Sequence, residues 1–253
     1  MRLVFPGDGA RDTLGDDGLA RAYAYPEGVT GRRPWVRANF VSTLDGAANG
    51  PDGRAGSINT AADRKVFGLL RALADVVLVG AGTARTEGYE PPEADEAWSA
   101  LRERAGQPPR PAMAVVTRSG DIPPLLRDPS DDGEIFLVTC TAAPDQAVRQ
   151  ARDELGDDHV IVCGEQSADL AEVVDALAAR GLSRILCEGG PHLMHDVAAS
   201  GVLDELCLTL SPLMIGGEHP RIVAGPALDA DLALHTLIEA EGSLLGRWTA
   251  RAG

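Results

Sequence analysis

The sequence predicts an α/β fold: one mixed, mostly parallel β-sheet, flanked by helices on both faces and completed by a C-terminal antiparallel hairpin. Strand-like and helix-like runs alternate from residue 35 onward, as they do in parallel β-α-β units. The run DVVLVG (75–80) is continuously apolar, which is typical of a strand buried on both faces. The tail alternates apolar and polar residues before Glu241-Gly242, which indicates a hairpin turn.

Length and composition fit one domain behind a short lead-in. The chain has 253 residues, of which 44% are hydrophobic and 24% are charged, an ordinary balance for a globular protein. We expect a polar, loosely structured lead-in over residues 1–34 and a single domain over residues 35–253. No apolar run reaches the ~18 residues of a membrane helix and the first residues show no targeting pattern, so we expect neither a membrane partner nor a leader.

Charge and cysteine usage exclude two classes of protein. A net charge of −15 argues against nucleic-acid binding, because neutralising phosphates requires a basic surface. The four cysteines lie in apolar strand-like runs and form no C-x-x-C pair; they are Cys140, Cys163, Cys187 and Cys207. We interpret them as buried free thiols, expect no metal site, and expect the reducing environment of the cytoplasm.

The first half of the predicted domain contains a strand, a helix and a second strand. WVRANFVS (35–42) has the composition of a strand. A helix is predicted over 60–73, with Thr60 as its N-cap, and the buried strand 75–80 follows it. The Pro- and Gly-rich stretch 89–111 predicts a long connection.

The second half predicts five further strands and three helices before the hairpin. Gly181 and Gly201 mark the ends of two helices, and Pro191 suits the first position of the helix that Gly201 ends. The predicted strands are 112–116, 135–139, 159–162, the strand and glycine turn at 184–190, and 203–210. The predicted helices are 144–154, 168–181 and 191–201.

Glycine turns follow the predicted strands where backbone amides can approach an anion. The first, residues 80–83, lacks the third glycine of the Rossmann fingerprint and is equally consistent with a plain tight turn. In the second, residues 188–191, Pro191 leaves the next helical amides free for a phosphate. Gly164, ahead of a helix, is a third candidate. Because ligands of open α/β sheets bind beyond the carboxyl ends of the strands, we expect these turns to line one crevice.

Two carboxylates are candidate catalytic groups. Asp45 follows the first predicted strand and either forms a turn with Gly46 or orients a substrate and supplies a proton. Glu188 ends an apolar strand, where an unpaired charge is costly unless a cleft opens there. Weaker candidates for substrate contact are Ser42, Ser57, Asn59 and Arg71. His192 and His195 are spaced i, i+3 without a visible third ligand, so we interpret them as surface residues rather than a metal pair.

Together these segments resemble the reductase domain of the bacterial riboflavin-pathway deaminase–reductases, a family with a dihydrofolate-reductase-like fold. The motifs S-x-x-D-G (42–46), V-G-A-G-T (79–83) and E-G-G-P-x-L (188–193) occur in that family's order and spacing, and the likeness covers roughly residues 35–217. The resemblance implies hydride transfer from NADPH to a ribosylaminopyrimidine phosphate, whose sugar becomes a ribityl chain.

By position, the resemblance assigns most candidate residues to NADPH. The expected cofactor contacts are Gly80, Ala81, Gly82, Thr83, Glu87, Gly189, Gly190, Pro191, His192 and Leu193, with Gly164 added from its own turn. Thr117, Arg118 and Ser119 fall where the family meets the adenosine 2′-phosphate, which favours NADPH over NADH. The resemblance also implies that Asp45 and Glu188 face the substrate and that Arg71 is a substrate arginine.

One departure from the family pattern leaves alternatives open. The family continues D-D-P-x-L-T-x-R after Gly-Thr, with an arginine that contacts the substrate phosphate; here Glu87 replaces an aspartate and the arginine has no counterpart. A dihydropterin- or dihydrofolate-type reductase, and a catalytically silent NADPH-binding protein, therefore remain alternatives. The resemblance further implies a homodimer, for which a strand such as 203–210 would serve as an interface.

Overall fold

The computed structural model describes residues 1–6, 13–127 and 133–251, and its centre is a ten-stranded sheet. The strands are β1 (Arg2–Phe5), β2 (Trp35–Thr43), β3 (Val76–Gly80), β4 (Ala112–Val116), β5 (Ile135–Thr139), β6 (Val160–Val162), β7 (Arg184–Cys187), β8 (Glu205–Ser211), β9 (Leu232–Ala240) and β10 (Ser243–Ala250). The helices are α1 (Asp16–Ala22), α2 (Ala61–Leu73), α3 (Ala81–Glu87), α4 (Ser99–Arg104), α5 (Asp145–Leu155), α6 (Leu170–Ala178) and α7 (Pro191–Ala199).

The sheet combines a parallel part with an antiparallel part, in the order β1-β9-β10-β8-β2-β7-β3-β4-β5-β6. Neighbours from β8 to β6 run parallel, whereas β1, β9, β10 and β8 pair antiparallel. After β3 the chain moves outward through β4, β5 and β6, and it returns with β7 between β2 and β3. This return creates the reversal of strand order at which open α/β sheets bind ligands. The predicted mixed, mostly parallel sheet is confirmed.

Helices cover both faces of the sheet, as predicted, and each face has its own apolar core. One core contains Val66, Leu69 and Leu70 of α2 together with Leu19 before the end of α1. The other contains Val173 and Leu177 of α6 and Val197 of α7, packed on the opposite side of the strands. Strand β3 is buried on both faces from Val76 to Val79, which explains its continuous apolar sequence.

Local sequence signals account for the ends of several elements. The Thr60 hydroxyl accepts a hydrogen bond from the Asp63 amide and caps α2, as its position predicts. Glu241 and Gly242 both have positive φ, 52° and 81°, which is the backbone of the two-residue turn expected between β9 and β10.

The N-terminal residues correct the predicted loose lead-in. Strand β1 pairs with β9 at one edge of the sheet, and α1 packs against the core. Leu19 and Tyr23 are each only 1% exposed. Residues 7–12 lie outside the described part of the chain, but the remainder of the 1–34 segment belongs structurally to the same fold. No local pattern in this short polar segment indicates its partners, which include β9 for strand β1 and Arg247 for the end of α1.

A buried ion network joins this segment to the sheet. Glu205 of β8 accepts hydrogen bonds from Arg37 at 3.1 Å, from Arg247 at 2.7 and 3.0 Å, and from the Trp35 indole at 3.1 Å. Burial alone would raise the pKa of Glu205, but Arg37 and Arg247 hold it below its ordinary value. Arg247 also donates to the Ala22 carbonyl at the end of α1 at 2.8 Å.

The structure differs from two further predictions, the interface at 203–210 and the connection 89–111. Strand β8 is paired on one side with β2 and on the other with β10, so the predicted 203–210 interface has no free strand edge. The predicted connection 89–111 contains the short helix α4. Its residue Arg102 is 3% exposed and donates to the carbonyls of Ala72 and Ala74 at 3.1 and 2.8 Å, which closes the C-terminal end of α2.

Candidate functional site

A cavity of about 600 Å³ opens beyond the carboxyl ends of β2, β7 and β3, at the reversal of strand order. Its walls come from the ends of these strands, from α2, from the starts of α3 and α7, and from the segment 48–59. Nine of the residues singled out from the sequence line it: Asn59, Arg71, Gly82, Thr83, Glu87, Glu188, Gly190, Pro191 and His192. The size suits a small-molecule site.

The two glycine turns adjoin each other at this cavity. The Gly80 amide donates to the Gly189 carbonyl at 2.7 Å. Gly189 has a φ of 82°, and a Cβ on it would lie 2.6 Å from the Phe40 ring. A Cβ on Gly190 would collide with the Thr83 hydroxyl. Glycine is therefore required at both positions for β7 and α7 to approach β3 and α3 this closely.

Each glycine turn leads into a helix whose first turn borders the cavity. Gly82 and Thr83 belong to the first turn of α3, and Pro191 and His192 to the first turn of α7. Amides in a first helical turn have no acceptor within their own helix, and the helix dipole is positive there. A Cβ on Gly82 would meet no atom within 4 Å, so open space lies above the start of α3. This corner can accept an anion without a formal positive charge.

Arg71 and Glu188, predicted as separate functional groups, form one bidentate ion pair. Arg71 Nε donates to Glu188 Oε1 and Arg71 Nη2 to Oε2, both at 2.7 Å, while the Tyr89 hydroxyl donates to Oε2 at 2.8 Å. The Glu188 side chain is 2% exposed and that of Arg71 26%. The Arg71 guanidinium also lies 4.4 Å from the centre of the Phe67 ring.

This arrangement keeps the Arg71 guanidinium charged and the Tyr89 phenol protonated. Burial would lower the pKa of Arg71, but Glu188 raises it above its ordinary value, so the guanidinium stays protonated. Burial, with Glu188 nearby, raises the pKa of Tyr89, so its phenol keeps its proton and remains a donor. Glu188 therefore has both carboxylate oxygens occupied by donors, which suits a positioning role better than proton transfer.

Asp45 lies outside the cavity lining and binds a neighbouring loop. It accepts hydrogen bonds from the Thr43 hydroxyl, from the Gly216 amide at 2.7 Å and from the Ile215 amide at 3.0 Å. The Thr43 hydroxyl and then the Gly216 amide lower the pKa of Asp45 to about 2. Its carboxylate is thus ionised at neutral pH. These contacts explain the position of Asp45 by the loop that it holds, and its proton-supplying role stays a prediction.

The predicted substrate hydroxyls are also turned away from the cavity. Ser42 is 6% exposed and donates to the Thr43 carbonyl at 3.0 Å. Ser57 donates to Asp52 Oδ1 at 2.7 Å within its own loop. Asn59, in contrast, lines the cavity, and with its amide nitrogen turned toward acceptors it donates to the Ala55 carbonyl at 3.0 Å.

The remaining predicted cofactor residues lie around the two turns. Ala81 and Leu193 are buried behind the cavity wall, 4% and 6% exposed. Residues 117–119 follow β4, whose Val116 pairs with Gly80, so they lie one strand beyond the first turn. Within this stretch the hydroxyls of Thr117 and Ser119 are 3.2 Å apart.

Gly164 is explained by its own turn. It follows β6, three strands away from the cavity, and its φ is 80°. Its amide donates to Glu172 Oε2 at 3.1 Å, and its carbonyl accepts from the Thr141 amide. A Cβ here would collide with the Ser167 carbonyl. The glycine is required by the chain itself, which corrects its inclusion among residues near the other two turns.

Three residues that line the cavity are not among the predicted site residues. Asp63 and Phe67 precede Arg71 on the same face of α2, at intervals of four residues, and Tyr89 completes the Glu188 contacts. Asp63 is 4% exposed. One sequence signal indicates Asp63: it lies two steps of four residues before Arg71, on the apolar face of the same helix.

Residues 1–6, 13–127 and 133–251 contain neither a metal-binding cluster nor a membrane-spanning helix. There, no group of three or more His, Cys, Asp and Glu side chains is arranged to hold a metal ion. None of the helices in these ranges has the length and apolar character needed to cross a membrane.

Comparisons with known proteins agree with this architecture. The 2,5-diamino-6-ribosylamino-4(3H)-pyrimidinone 5′-phosphate reductase of Archaeoglobus fulgidus is 26% identical over 194 residues, which is 76% of this chain and 87% of the relative. The enzyme of the same name from Methanothermobacter thermautotrophicus is 27% identical over 198 residues, 78% of this chain and 87% of that one.

Solved structures show the same fold. A pyrimidine reductase-like protein from Corynebacterium diphtheriae superposes with a TM-score of 0.79 at 24% identity, covering 93% of this chain and 99% of the other. A riboflavin biosynthesis reductase of Saccharomyces cerevisiae superposes with a TM-score of 0.61 at 13% identity, covering 92% and 98%. The predicted fold of the riboflavin reductases is confirmed.

The family model of the RibD C-terminal domain matches residues 34–243, which include every strand and helix that forms the cavity. The order of the S-x-x-D-G, V-G-A-G-T and E-G-G-P-x-L motifs, the reversal of strand order and the adjoining glycine turns all fall within this match. The chain belongs to the RibD C-terminal domain family.

Proposed function

We propose that the protein is an NADPH-dependent reductase of riboflavin biosynthesis that converts a ribosylaminopyrimidine 5′-phosphate into its ribityl derivative. One observation carries the proposal. Two adjoining glycine turns border the same cleft as the aromatic ring of Phe67 and the charged side chains of Arg71 and Glu188. Family membership and the names of the two archaeal relatives support the same reaction.

The residues at the cleft fit a dinucleotide phosphate. The open space above Gly82 and the first-turn amides of α3 and α7 would hold the diphosphate, despite a net charge of −15. Arg118, exposed after β4, would meet the adenosine 2′-phosphate and select NADPH over NADH. When bound, NADPH supplies the hydride.

The reaction needs one hydride and one proton. The hydride adds to C1′ of the sugar, the C1′–O4′ bond breaks, and O4′ takes the proton as the open ribityl chain forms. With Asp45 ionised and outside the cavity, and with Glu188 occupied by Arg71 and Tyr89, we assign the proton to solvent. The Arg71–Glu188 pair then positions the substrate by a fixed, neutral hydrogen-bonding surface.

The substrate phosphate still needs a cation. Arg64 is exposed on α2, and it borders a second cavity that shares Asn59, Phe67 and Arg71 with the cleft. Its Nη1 donates to the Asn59 carbonyl at 3.3 Å. We assign Arg64 the role of the arginine that is absent after the first glycine turn.

The proposal is tested by following NADPH absorbance at 340 nm with 2,5-diamino-6-ribosylamino-4(3H)-pyrimidinone 5′-phosphate as substrate. We expect turnover with NADPH, at least tenfold slower turnover with NADH, and a raised KM with little change in kcat for Arg64→Gln. Exposed Arg149 on α5, which lines neither cavity, provides the matched control Arg149→Gln. Absence of substrate-dependent oxidation of either cofactor would overturn the proposal.

We also propose that the protein forms a homodimer. The support is the exposed edge strand β1, where Val4 and Phe5 are each 43% exposed. Sedimentation equilibrium tests the assembly: a mass near 53 kDa, twice the 26.4 kDa of the chain, is expected, and a mass of one chain at micromolar concentration contradicts it.

A further inference from the structure

We propose that Asp63 accepts hydrogen bonds from the edge of the pyrimidine ring. This contact makes the enzyme prefer a 2-amino-4-oxopyrimidine over the corresponding uracil. This inference rests on the proposed function, which it deepens by naming the form of the ring. The relatives divide along this line: the archaeal ones are named for a 2,5-diaminopyrimidinone, and a Thermotoga maritima structure of the same fold is named for a 5-aminouracil.

Asp63 is a buried carboxylate at the wall of the cleft. It is the third residue of α2, is 4% exposed, and borders the cavity together with Phe67 and Arg71, one and two turns later. Burial raises the pKa of its carboxyl group, while a hydrogen bond from the Thr209 hydroxyl and the nearby charge of Arg64 oppose the rise. A carboxylate at such a site calls for an explanation, because burying it is costly.

The donors on Asp63 leave part of its acceptor capacity free. Thr209 on β8 contributes one hydroxyl, and the Asn59 amide nitrogen, turned toward it, lies 3.3 Å from Oδ2. Both donors are neutral, and a carboxylate accepts about four hydrogen bonds. Glu188 differs, since it accepts three bonds of 2.7 to 2.8 Å, two of them from the charged guanidinium of Arg71 and one from Tyr89. Of the two buried carboxylates at the cleft, Asp63 keeps more of its acceptor capacity for a ligand.

The chemistry of the ring edge matches such an acceptor. A 2-amino-4-oxopyrimidine presents two neighbouring donors, the exocyclic amino group and N3–H, which fit the two oxygens of one carboxylate. In a uracil the C2 carbonyl replaces the amino group, so an acceptor faces an acceptor. A site built to pair with a donor rejects an analogue that lacks it, because buried polar groups are then left unpaired. The aromatic faces of Phe67 and Phe40, which also border the cavity, suit the planar ring.

The test measures kcat/KM with NADPH for two substrates, the 2,5-diaminopyrimidinone ribosyl phosphate and 5-amino-6-(5-phosphoribosylamino)uracil. We expect the protein to prefer the diamino substrate by tenfold or more. Asp63→Asn, whose amide offers one acceptor and one donor, should remove most of this preference, mainly through KM of the diamino substrate. The control Asp157→Asn makes the same change at a side chain that is 88% exposed just before β6, and it should keep the wild-type ratio.

The outcomes separate this inference from the proposed function. If neither substrate is reduced, the proposed function fails. If both are reduced with equal efficiency, or the uracil is preferred, the function stands and the role of Asp63 is overturned. An unchanged substrate ratio in Asp63→Asn also overturns it. Should Asp63→Asn unfold, Asp63→Ser carries the same test, because its small hydroxyl donates or accepts and is expected to lose the discrimination as well.

Discussion

Arg71 and Glu188 are 117 residues apart in sequence, and each explains why the other can be buried at the cleft. An isolated Glu188, 2% exposed, would be an unpaired charge in an apolar strand end. The bidentate geometry instead gives a rigid polar wall whose net charge is zero. The two buried carboxylates of the cleft differ in their partners: Glu188 is paired with a charged arginine, whereas Asp63 is bonded by neutral donors.

Glu188→Gln leaves the Arg71 guanidinium partly buried without a counter-charge. We expect a loss of about 3 kcal/mol in the free energy of unfolding, at the low end for breaking a buried pair because Arg71 keeps some solvent contact. Urea denaturation measures it. The double variant Arg71→Met with Glu188→Leu should be less destabilised than Glu188→Gln, and a larger loss in the double variant contradicts the pairing.

Asp45 predicts a pH dependence of stability. Its pKa is lowered from the ordinary 3.8 to about 2 by the Thr43 hydroxyl and the Gly216 and Ile215 amides. A depressed acid pKa contributes stability that is complete above about pH 4 and lost as the pH falls toward 2. Asp45→Asn should therefore lower Tm at pH 7 and have a smaller effect at pH 3. An equal difference at the two pH values would contradict the role of the ionised carboxylate.

At the element scale, the site depends on how closely α3 and α7 approach each other. Their first turns meet because Gly189 and Gly190 lack side chains where Phe40 and Thr83 pass. This contact could be predicted only in outline: the glycines and the strand ends are visible in the sequence, whereas the hydrogen bond from Gly80 to Gly189 depends on β7 lying beside β3.

Gly190→Ala tests this approach. The new Cβ collides with the Thr83 hydroxyl and should separate the two helix starts, which weakens NADPH binding by about tenfold or more, or about 1.4 kcal/mol. Titration of NADPH fluorescence measures it. Gly15→Ala is the matched control, because a Cβ there meets nothing within 4 Å. Unchanged affinity in Gly190→Ala would show that the adjoining turns do not hold the cofactor.

At the scale of the whole molecule, the sequence predicted the sheet, its two helical layers and the hairpin, because these follow from local periodicity, caps and turn residues. Helix α2 with its Thr60 cap and the Glu241-Gly242 turn are examples. Strand β1 and helix α1 were missed, since a short polar segment gains its place from distant partners such as β9 and Arg247. Asp63 was missed for a related reason, because its burial comes from tertiary packing rather than from a motif.

Leu19 tests whether the N-terminal segment is part of the fold. It is 1% exposed within the core beside α2, so Leu19→Ala should lower the free energy of unfolding by about 2–5 kcal/mol. Leu125→Ala, at a residue 52% exposed, should change it by no more than about 0.5 kcal/mol. Chemical denaturation measures both variants. Equal, small effects would contradict the packing of the N-terminal segment and support a loosely structured lead-in.

The most direct test of the whole account follows the transferred hydrogen. The protein is incubated with the 2,5-diaminopyrimidinone ribosyl phosphate and NADPH deuterated at both C4 positions, and the ribityl product is analysed by mass spectrometry. The account predicts a product that carries one deuterium on the C1′ carbon of the ribityl chain. A reduced product without deuterium at that carbon, or the absence of any reduced product, would contradict hydride transfer in this cleft.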